Sequence, residues 1–237
     1  MRKLIRKLLN QFGYDIVKLP PAIKQEERED LKKLFGRIYH ENMWGGNKGE
    51  FYSGPGSDDF VGTEYARVVK EYIRKHNIKS VVDIGCGDFR VARQFITDDV
   101  DYTGIDVVPD LIANNQKLYG ASNIRFRHID VTKQDIPDAE LCTIRQVLQH
   151  LSNDHIQAIV SKVRKFEHLI VSEHILLREG VVPNLDMPAD WNTRIEMNSY
   201  VALDQPPYNA ATELLLEVDP LFHNHPDSRI RTMRVRL

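Results

Sequence analysis

Three aspartates and two glycines are the residues of this chain whose types and spacing could do chemistry. The apolar run Val81-Val82 leads into Asp83-Ile84-Gly85-Cys86-Gly87, a tight turn in which two missing side chains would let the backbone touch a ligand. Asp106 closes a second apolar run about 20 residues on, the place from which a carboxylate can accept both hydroxyls of a ribose. Asp130 closes a third run and is followed by Val131, so that the carboxylate or the neighbouring backbone could pair with an adenine edge. A nicotinamide-dinucleotide turn would have glycine at position 90, where this chain has Arg90, and here an acid precedes the first glycine by two residues. Asp83 suits a ligand that carries an amino group and a sulfonium charge. Each of the later aspartates also has a plainer reading: Asp106 could cap the helix expected from Pro109, and Asp130 could simply form a turn.

A second group of residues could act on an acceptor. His150, in the run Arg145-Gln146-Val147-Leu148-Gln149-His150-Leu151, has a side chain whose ordinary pKa suits proton removal from a hydroxyl, although it could equally pack against a ligand or a lid. Glu173 and His174, at the end of a later apolar run, form the alternative base pair. Trp44, Tyr52 and Tyr208 stand in glycine- and proline-rich loops, where they could stack on a sugar or an adenine or could seal a lid onto the core. His223-Asn224-His225 brings two imidazoles together without a third ligand at a metal-binding spacing, so a solvated loop and no metal is expected.

The elements that must position these residues follow from alternation of helical and strand-like patterns. Helices are expected from about Phe60 to His76, Arg90 to Thr97, Pro109 to Tyr119 and Asn153 to Phe166. Strands are expected over Ser80 to Ile84, Tyr102 to Ile105, Ile124 to Ile129, Leu141 to Val147 and His168 to His174. Strands separated by helices imply a parallel sheet with right-handed crossovers. Glu213 to Val218 and Thr232 to Leu237 are strand-like runs joined by a polar turn, which predicts a terminal antiparallel hairpin. The proline-bearing stretch 175–210 has no clean period and reads as an insertion over the carboxyl ends of the strands, where open α/β sheets bind ligands. Upstream, a charged helix is expected from about Gln25 to His40, followed by a glycine-rich aromatic loop from Met43 to Ser57. The domain division is therefore 1–56, a helical extension with a lid loop, and 57–237, the main domain.

Bulk properties narrow the class. With 237 residues and 42% hydrophobic content the chain can bury one sizeable core. The 32 Lys and Arg against 34 Asp and Glu give a net charge of -2, which supplies no cationic field for nucleic acid. The two cysteines, Cys86 and Cys142, lie in apolar runs as expected of free thiols in a reducing cytoplasm. No apolar run approaches the ~20 residues that cross a bilayer. In residues 1–20, Arg2, Lys3, Arg6 and Lys7 alternate with Leu4, Ile5, Leu8 and Leu9, unlike a signal-peptide core. That basic amphipathic segment, stopped by Pro20-Pro21, either attaches weakly to a membrane surface or packs on its own domain.

Asp83-x-Gly85-x-Gly87, Asp106, Asp130 and the run from Arg145 to Leu151 together resemble the ordered motifs of class I S-adenosylmethionine-dependent methyltransferases, over about residues 57 to 237. The resemblance implies a Rossmann-like sheet of seven strands in the order 3-2-1-4-5-7-6, the last antiparallel, with S-adenosylmethionine as cofactor and S-adenosylhomocysteine as product. Carried over to this sequence, it places the methionyl part at Asp83, Gly85 and Gly87, the ribose at Asp106, the adenine at Asp130 and Val131, and Gln146 beside the cofactor, with Asp88 and Val107 as further cofactor contacts. The usual third glycine is Phe89, which puts the close approach of the next helix in doubt.

A narrower resemblance rests on Trp44-Gly45, Ser53-Gly54-Pro55-Gly56-Ser57, Cys86-Gly87-Asp88-Phe89 and Gln205-Pro206-Pro207-Tyr208-Asn209. These are similar to a bacterial methyltransferase group associated with surface glycans. It implies a sugar or other small hydroxyl-bearing precursor as acceptor. Trp44, Ser57, His174 and Tyr208 are the candidate substrate contacts and His150 the candidate catalytic base. Acceptors on another small metabolite, RNA or protein, and a non-catalytic cofactor-binding subunit, stay open at this point.

Overall fold

A computed structural model describes residues 30–57, 59–220 and 226–237. The expected amphipathic segment 1–20 and the histidines 223 and 225 lie outside the described residues. The described helices are α1 (Leu31–His40), α2 (Asp59–His76), α3 (Pro109–Tyr119) and α4 (Asn153–Val163). The strands are β1 (Ser80–Ile84), β2 (Asp101–Asp106), β3 (Ile124–His128), β4 (Leu141–Arg145), β5 (His168–Leu176), β6 (Ala211–Val218) and β7 (Ser228–Arg236). They form one sheet in the order β3-β2-β1-β4-β5-β7-β6, as the resemblance implied, with β7 antiparallel to both of its neighbours. Among the described residues no helix is long and apolar enough to cross a membrane.

The central strands are apolar on both faces because each face is covered. Val82 and Ile84 pack with Ile156, Ile159 and Val163 of α4, whereas Val81 on the opposite face meets Tyr65, Val69 and Ile73 of α2. Local signals set the helix starts. Ser152 accepts the amide of His155 at the start of α4, and Pro109 stands in the first turn of α3. Both cysteines are free and buried.

The helix expected from Arg90 to Thr97 is reduced to one tight turn, Ala92–Gln94. Phe89 takes a left-handed backbone (φ 62°), and the amides of Gln94 and Phe95 bond three residues back, to Val91 and Ala92. The ring of Phe89 is 2% exposed and lies among Tyr102, Tyr119 and Phe126. A left-handed non-glycine residue costs about 1–3 kcal/mol, and a buried phenyl ring contributes about 3–5 kcal/mol, so the ring outweighs the strain. Phe89→Gly is accordingly expected to destabilise the fold by about 2 kcal/mol in urea unfolding; equal or higher stability would show that the ring adds nothing.

Other boundaries moved for identifiable reasons. β4 ends at Arg145 rather than 147 because Gln146 turns left-handed (φ 53°), its amide donating to Ser172 O. β5 runs on to Leu176 and β7 begins at Ser228 because the two pair along that whole length, from Ile170 opposite Arg234 to Leu176 opposite Ser228. α4 stops at Val163, and the amide of Phe166 closes a short turn on Val163 O.

Candidate active site

A cavity of about 430 Å³ opens beyond the carboxyl ends of β1, β2 and β4, roofed by residues 43–57 on one side and 191–196 on the other. Trp44 Nε1 donates to Trp191 O at 3.0 Å and joins the two halves of the roof. The glycines at its floor are required twice over, by left-handed backbones (φ 68° at Gly85, 53° at Gly87) and by crowding. A methyl group on Gly85 would lie 2.4 Å from Val147 Cγ2, and one on Gly87 would lie 2.4 Å from Ser53 Oγ. The missing side chains thus make room for the protein's own Val147 and roof loop, a reason different from the ligand contact expected of them.

Ser53 binds the turn closely. Its hydroxyl accepts from Asp88 N (2.8 Å) and is 2.9 Å from Tyr39 Oη, while its amide donates to Asp88 Oδ2 at 3.1 Å. Asp88 therefore fastens the roof to the glycine turn and also accepts Arg90 N at 3.0 Å.

Asp83 and Asp106 both line the cavity. Asp83 accepts from Tyr102 Oη (2.8 Å) and Thr143 Oγ1 (2.7 Å), and burial pushes its carboxyl up to about 6. Asp106 accepts the amides of Val108 (3.1 Å) and Gly87 (3.3 Å), and burial likewise pushes it up to about 6. The alternative reading of Asp106 as the helix cap does not hold: the helix from Pro109 has Val108 at its N-cap with no side-chain cap bond, and Asp106 receives the amide of Val108 while standing on the cavity wall. If the ionised forms meet an ammonium and a ribose, cofactor affinity should fall as pH drops through about 6, by up to about tenfold per pH unit for each proton taken up. Calorimetric titration with S-adenosylhomocysteine from pH 5 to pH 8 checks this, and Asp106→Asn should flatten the slope.

Asp130 is committed to its own turn. Oδ1 accepts Thr132 N (3.0 Å) and Thr132 Oγ1 (2.5 Å), and Oδ2 pairs with Lys133 Nζ at 3.0 Å. Burial raises its pKa, but the hydrogen bonds from Thr132 and Lys133 outweigh that and hold it below the usual value. Asp130, Val131 and the half-buried Val107 all line the cavity. Gln146 lines it too, its carboxamide pressed against the roof so that a methyl on Gly56 would lie 2.0 Å from its Oε1.

His150 stands at the mouth with its ring 5.3 Å from that of Trp44, which also meets Tyr39 edge-on at 5.2 Å. Its Nδ1 is 3.1 Å from Asn192 O, which can only accept, so Nδ1 carries the proton and Nε2 is left as the acceptor, 3.4 Å from the Gln149 amide. Burial pushes its pKa down to about 4. This departs from the near-neutral value that suggested a base: the ring is uncharged at neutral pH and accepts protons weakly.

Of the expected substrate contacts, Trp44, Ser57 and His174 line the cavity and Tyr208 does not. Tyr208 is 5% exposed within the core cluster that holds Val201, Leu203 and Ala210, so the lid-sealing alternative applies to it. Ser57 Oγ donates to Ser53 O at 3.3 Å, and His174 Nε2 is 2.8 Å from Ser228 Oγ. Tyr52 lies under the Arg90 guanidinium, 5.1 Å away. Glu173, the alternative base, is turned away from the cavity. Its carboxylate accepts the amides of Val147 (3.2 Å), Leu148 (2.9 Å) and Gln149 (3.2 Å), holding the turn that presents His150.

Six contributors carry roles that the motifs do not single out. Arg145 and Tyr65 line the inner end of the cavity, and the polar trio Asn192, Thr193 and Glu196 lines its mouth. An arginine closing a buried strand was the available signal for the first, since that residue type is almost never buried without a partner. Arg194 is 1% exposed and ties the insertion to the His150 turn, donating to Leu148 O (3.0 Å), Leu185 O (3.0 Å) and Asn153 Oδ1 (2.8 Å). Among the described residues no cluster of His, Cys, Asp and Glu could hold a metal ion.

Residues 81–166 match the family model for the methyltransferase domain. A comparison with curated proteins finds no match. Among solved structures, the chain is similar to the N-methyltransferase NodS from Bradyrhizobium japonicum WM9 in complex with S-adenosylhomocysteine. The identity is 16%, 76% of this chain and 90% of that chain are covered, and the TM-score is 0.53. It is also similar to magnesium protoporphyrin IX methyltransferase from Synechocystis PCC 6803 with bound S-adenosylmethionine (15% identity, 89% and 99% covered, TM-score 0.53). A third is the N-terminal domain of EvdMO1 in the presence of S-adenosylhomocysteine and D-fucose (13% identity, 90% and 99% covered, TM-score 0.51). At these identities the likeness to solved structures is one of fold. The matched segment is a methyltransferase domain, and the sheet that carries it has the fold of these S-adenosylmethionine-dependent methyltransferases.

Proposed function

We propose that this enzyme O-methylates a sugar or another small hydroxyl-bearing precursor of surface polysaccharide. The observation that carries the reading is the mouth of the cavity, where the Trp44 ring and the neutral His150 stand beside Trp191, Asn192, Thr193 and Glu196. Aromatic faces next to hydrogen-bonding groups suit a polyhydroxylated ring. The neighbour crystallised in the presence of D-fucose shares the fold, which supports this class of acceptor without naming it.

S-Adenosylmethionine, when bound, supplies an activated methyl group on a sulfonium. The cavity fits such a cofactor: Asp106, Asp130, Val131, Asp83 and Gln146 all line it, and there Asp106 would receive the ribose hydroxyls, Asp130 and Val131 the adenine, and Asp83 and Gln146 the methionyl end. Trp44 and the 191–196 segment would exclude water and hold the acceptor. His150 Nε2 would accept the acceptor's hydroxyl proton in place of the Gln149 amide, orienting the oxygen. With an acidity near 4 it removes that proton only weakly, so alignment of the reactants supplies most of the acceleration.

The test is transfer of labelled methyl from S-adenosylmethionine to nucleotide sugars, tRNA and a peptide mixture in parallel. Label in a sugar supports the proposal, and label only in tRNA or peptide overturns it. His150→Ala should lower turnover on the accepted substrate by about tenfold to a hundredfold, at the low end of general-base effects, and leave cofactor affinity unchanged.

A further inference from the structure

We infer that Arg145 binds the carboxylate at the amino-acid end of the cofactor and so, together with Asp83, makes the inner end of the cavity a receptor for a zwitterion. The inference rests on the S-adenosylmethionine-dependent reading of the site. The methionyl tail carries an ammonium and a carboxylate, and each loses several kcal/mol of hydration in a closed cavity unless an opposite charge receives it. Arg145 is the one arginine or lysine among the described residues lining the cavity. His150, the cation candidate at the mouth, is held uncharged.

Position follows from the sheet. β1 and β4 run parallel with Asp83 opposite Thr143. Arg145 is two residues past Thr143, so Asp83, Thr143 and Arg145 share one face of the sheet. The carboxylate and the guanidinium therefore stand at neighbouring strand ends on the side covered by α2. Tyr65 of α2 closes this end, with the Arg145 guanidinium 5.2 Å over its ring.

Two polar atoms here are left over. Arg145 Nε and Tyr65 Oη are buried without a hydrogen-bond partner. Tyr65 is 3% exposed, and both residues line the cavity. Buried donors left unpaired are costly, and a carboxylate has the acceptor capacity to receive both. The remaining arm of Arg145 donates to Gly56 O in the roof, so the same side chain joins the cofactor's tail to the lid loop.

The experiment compares S-adenosylmethionine with decarboxylated S-adenosylmethionine, which lacks only the carboxylate, by calorimetry on the full chain. The wild type should bind the complete cofactor about tenfold to a hundredfold more tightly, as expected of a charge-assisted hydrogen bond. In Arg145→Gln that preference should shrink to within about threefold, while affinity for the decarboxylated ligand changes little. Arg145→Lys, which retains the charge, should keep a several-fold preference and serves if the glutamine variant does not fold. Absence of preference in the wild type, or equal weakening of both ligands in Arg145→Gln, would overturn the role and leave Arg145 as a pin for the roof. Failure of the wild type to bind either ligand would instead remove the cofactor reading on which the inference stands.

Discussion

Asp106→Ala should weaken S-adenosylhomocysteine binding by about a hundredfold, from the loss of two hydrogen bonds between hydroxyls and a carboxylate at about 1.5–3 kcal/mol each, partly offset by new water contacts. The same change frees the amides of Gly87 and Val108, which Asp106 now receives at 3.3 and 3.1 Å, so the glycine turn loses one of its ties to β2 and keeps those from the amides of Gly85 and Cys86 to Ile105 O. Asp106→Asn retains an acceptor oxygen and should cost about tenfold. Calorimetry measures both. A dissociation constant within about threefold of wild type for the alanine variant would place the ribose elsewhere.

Glu173→Ala should have the largest effect on stability. Three backbone amides at the end of β4 donate to this carboxylate, which is 2% exposed, and its removal leaves them buried and unsatisfied. At about 1–3 kcal/mol per orphaned donor, a loss of at least about 3 kcal/mol is expected. For a chain of this length that lowers Tm by about 6–12 °C, measurable by calorimetry or circular dichroism. The pH dependence has a defined sign. Burial raises the Glu173 carboxyl from its ordinary 4.5 to about 7, so the folded state holds a proton that the unfolded state has lost across that window. Its contribution to stability is greatest below about pH 4.5 and declines as pH rises to about 7. Glu173→Gln should remove that decline. An unchanged Tm in Glu173→Ala would mean that the turn carrying His150 is held by its bonds to the insertion, from Arg194, Asp190 and Asn192.

Much of the framework was legible because its signals are local and periodic. The runs ending in Asp83 and Asp106 are buried strands, and their carboxylates reach the cavity because parallel strands all present their carboxyl ends on one edge. Pro109 and Tyr119 bound their helix where the pattern placed them. What escaped depends on partners distant in sequence. Glu173 looks like a base because nothing in its neighbourhood reveals that its carboxylate is occupied by amides some 25 residues upstream. Tyr208 sits in a loop by composition yet is buried by Val201 and Leu203, packing that no local pattern encodes. The helix after the glycine turn fails because Phe89 gains more from three aromatic neighbours than from helical geometry. His150 was found by its place after the fourth strand, but its weak basicity comes from burial beneath a roof whose contacts arise 42 residues away.

The clasp between Trp44 and Trp191 is a light fastening over a heavily packed floor. It joins segments 147 residues apart by a hydrogen bond at the surface, with Trp191 itself 40% exposed. Such a bond contributes only about 0.5–1.5 kcal/mol net, far less than the core beneath it. The mouth can therefore part many times for each excursion of the sheet, and ligands can exchange through it while the floor of the cavity keeps its shape. An acceptor would thus meet a doorway that can adjust around it, whereas the inner end of the pocket is built on the adjacent, paired strands β1 and β4.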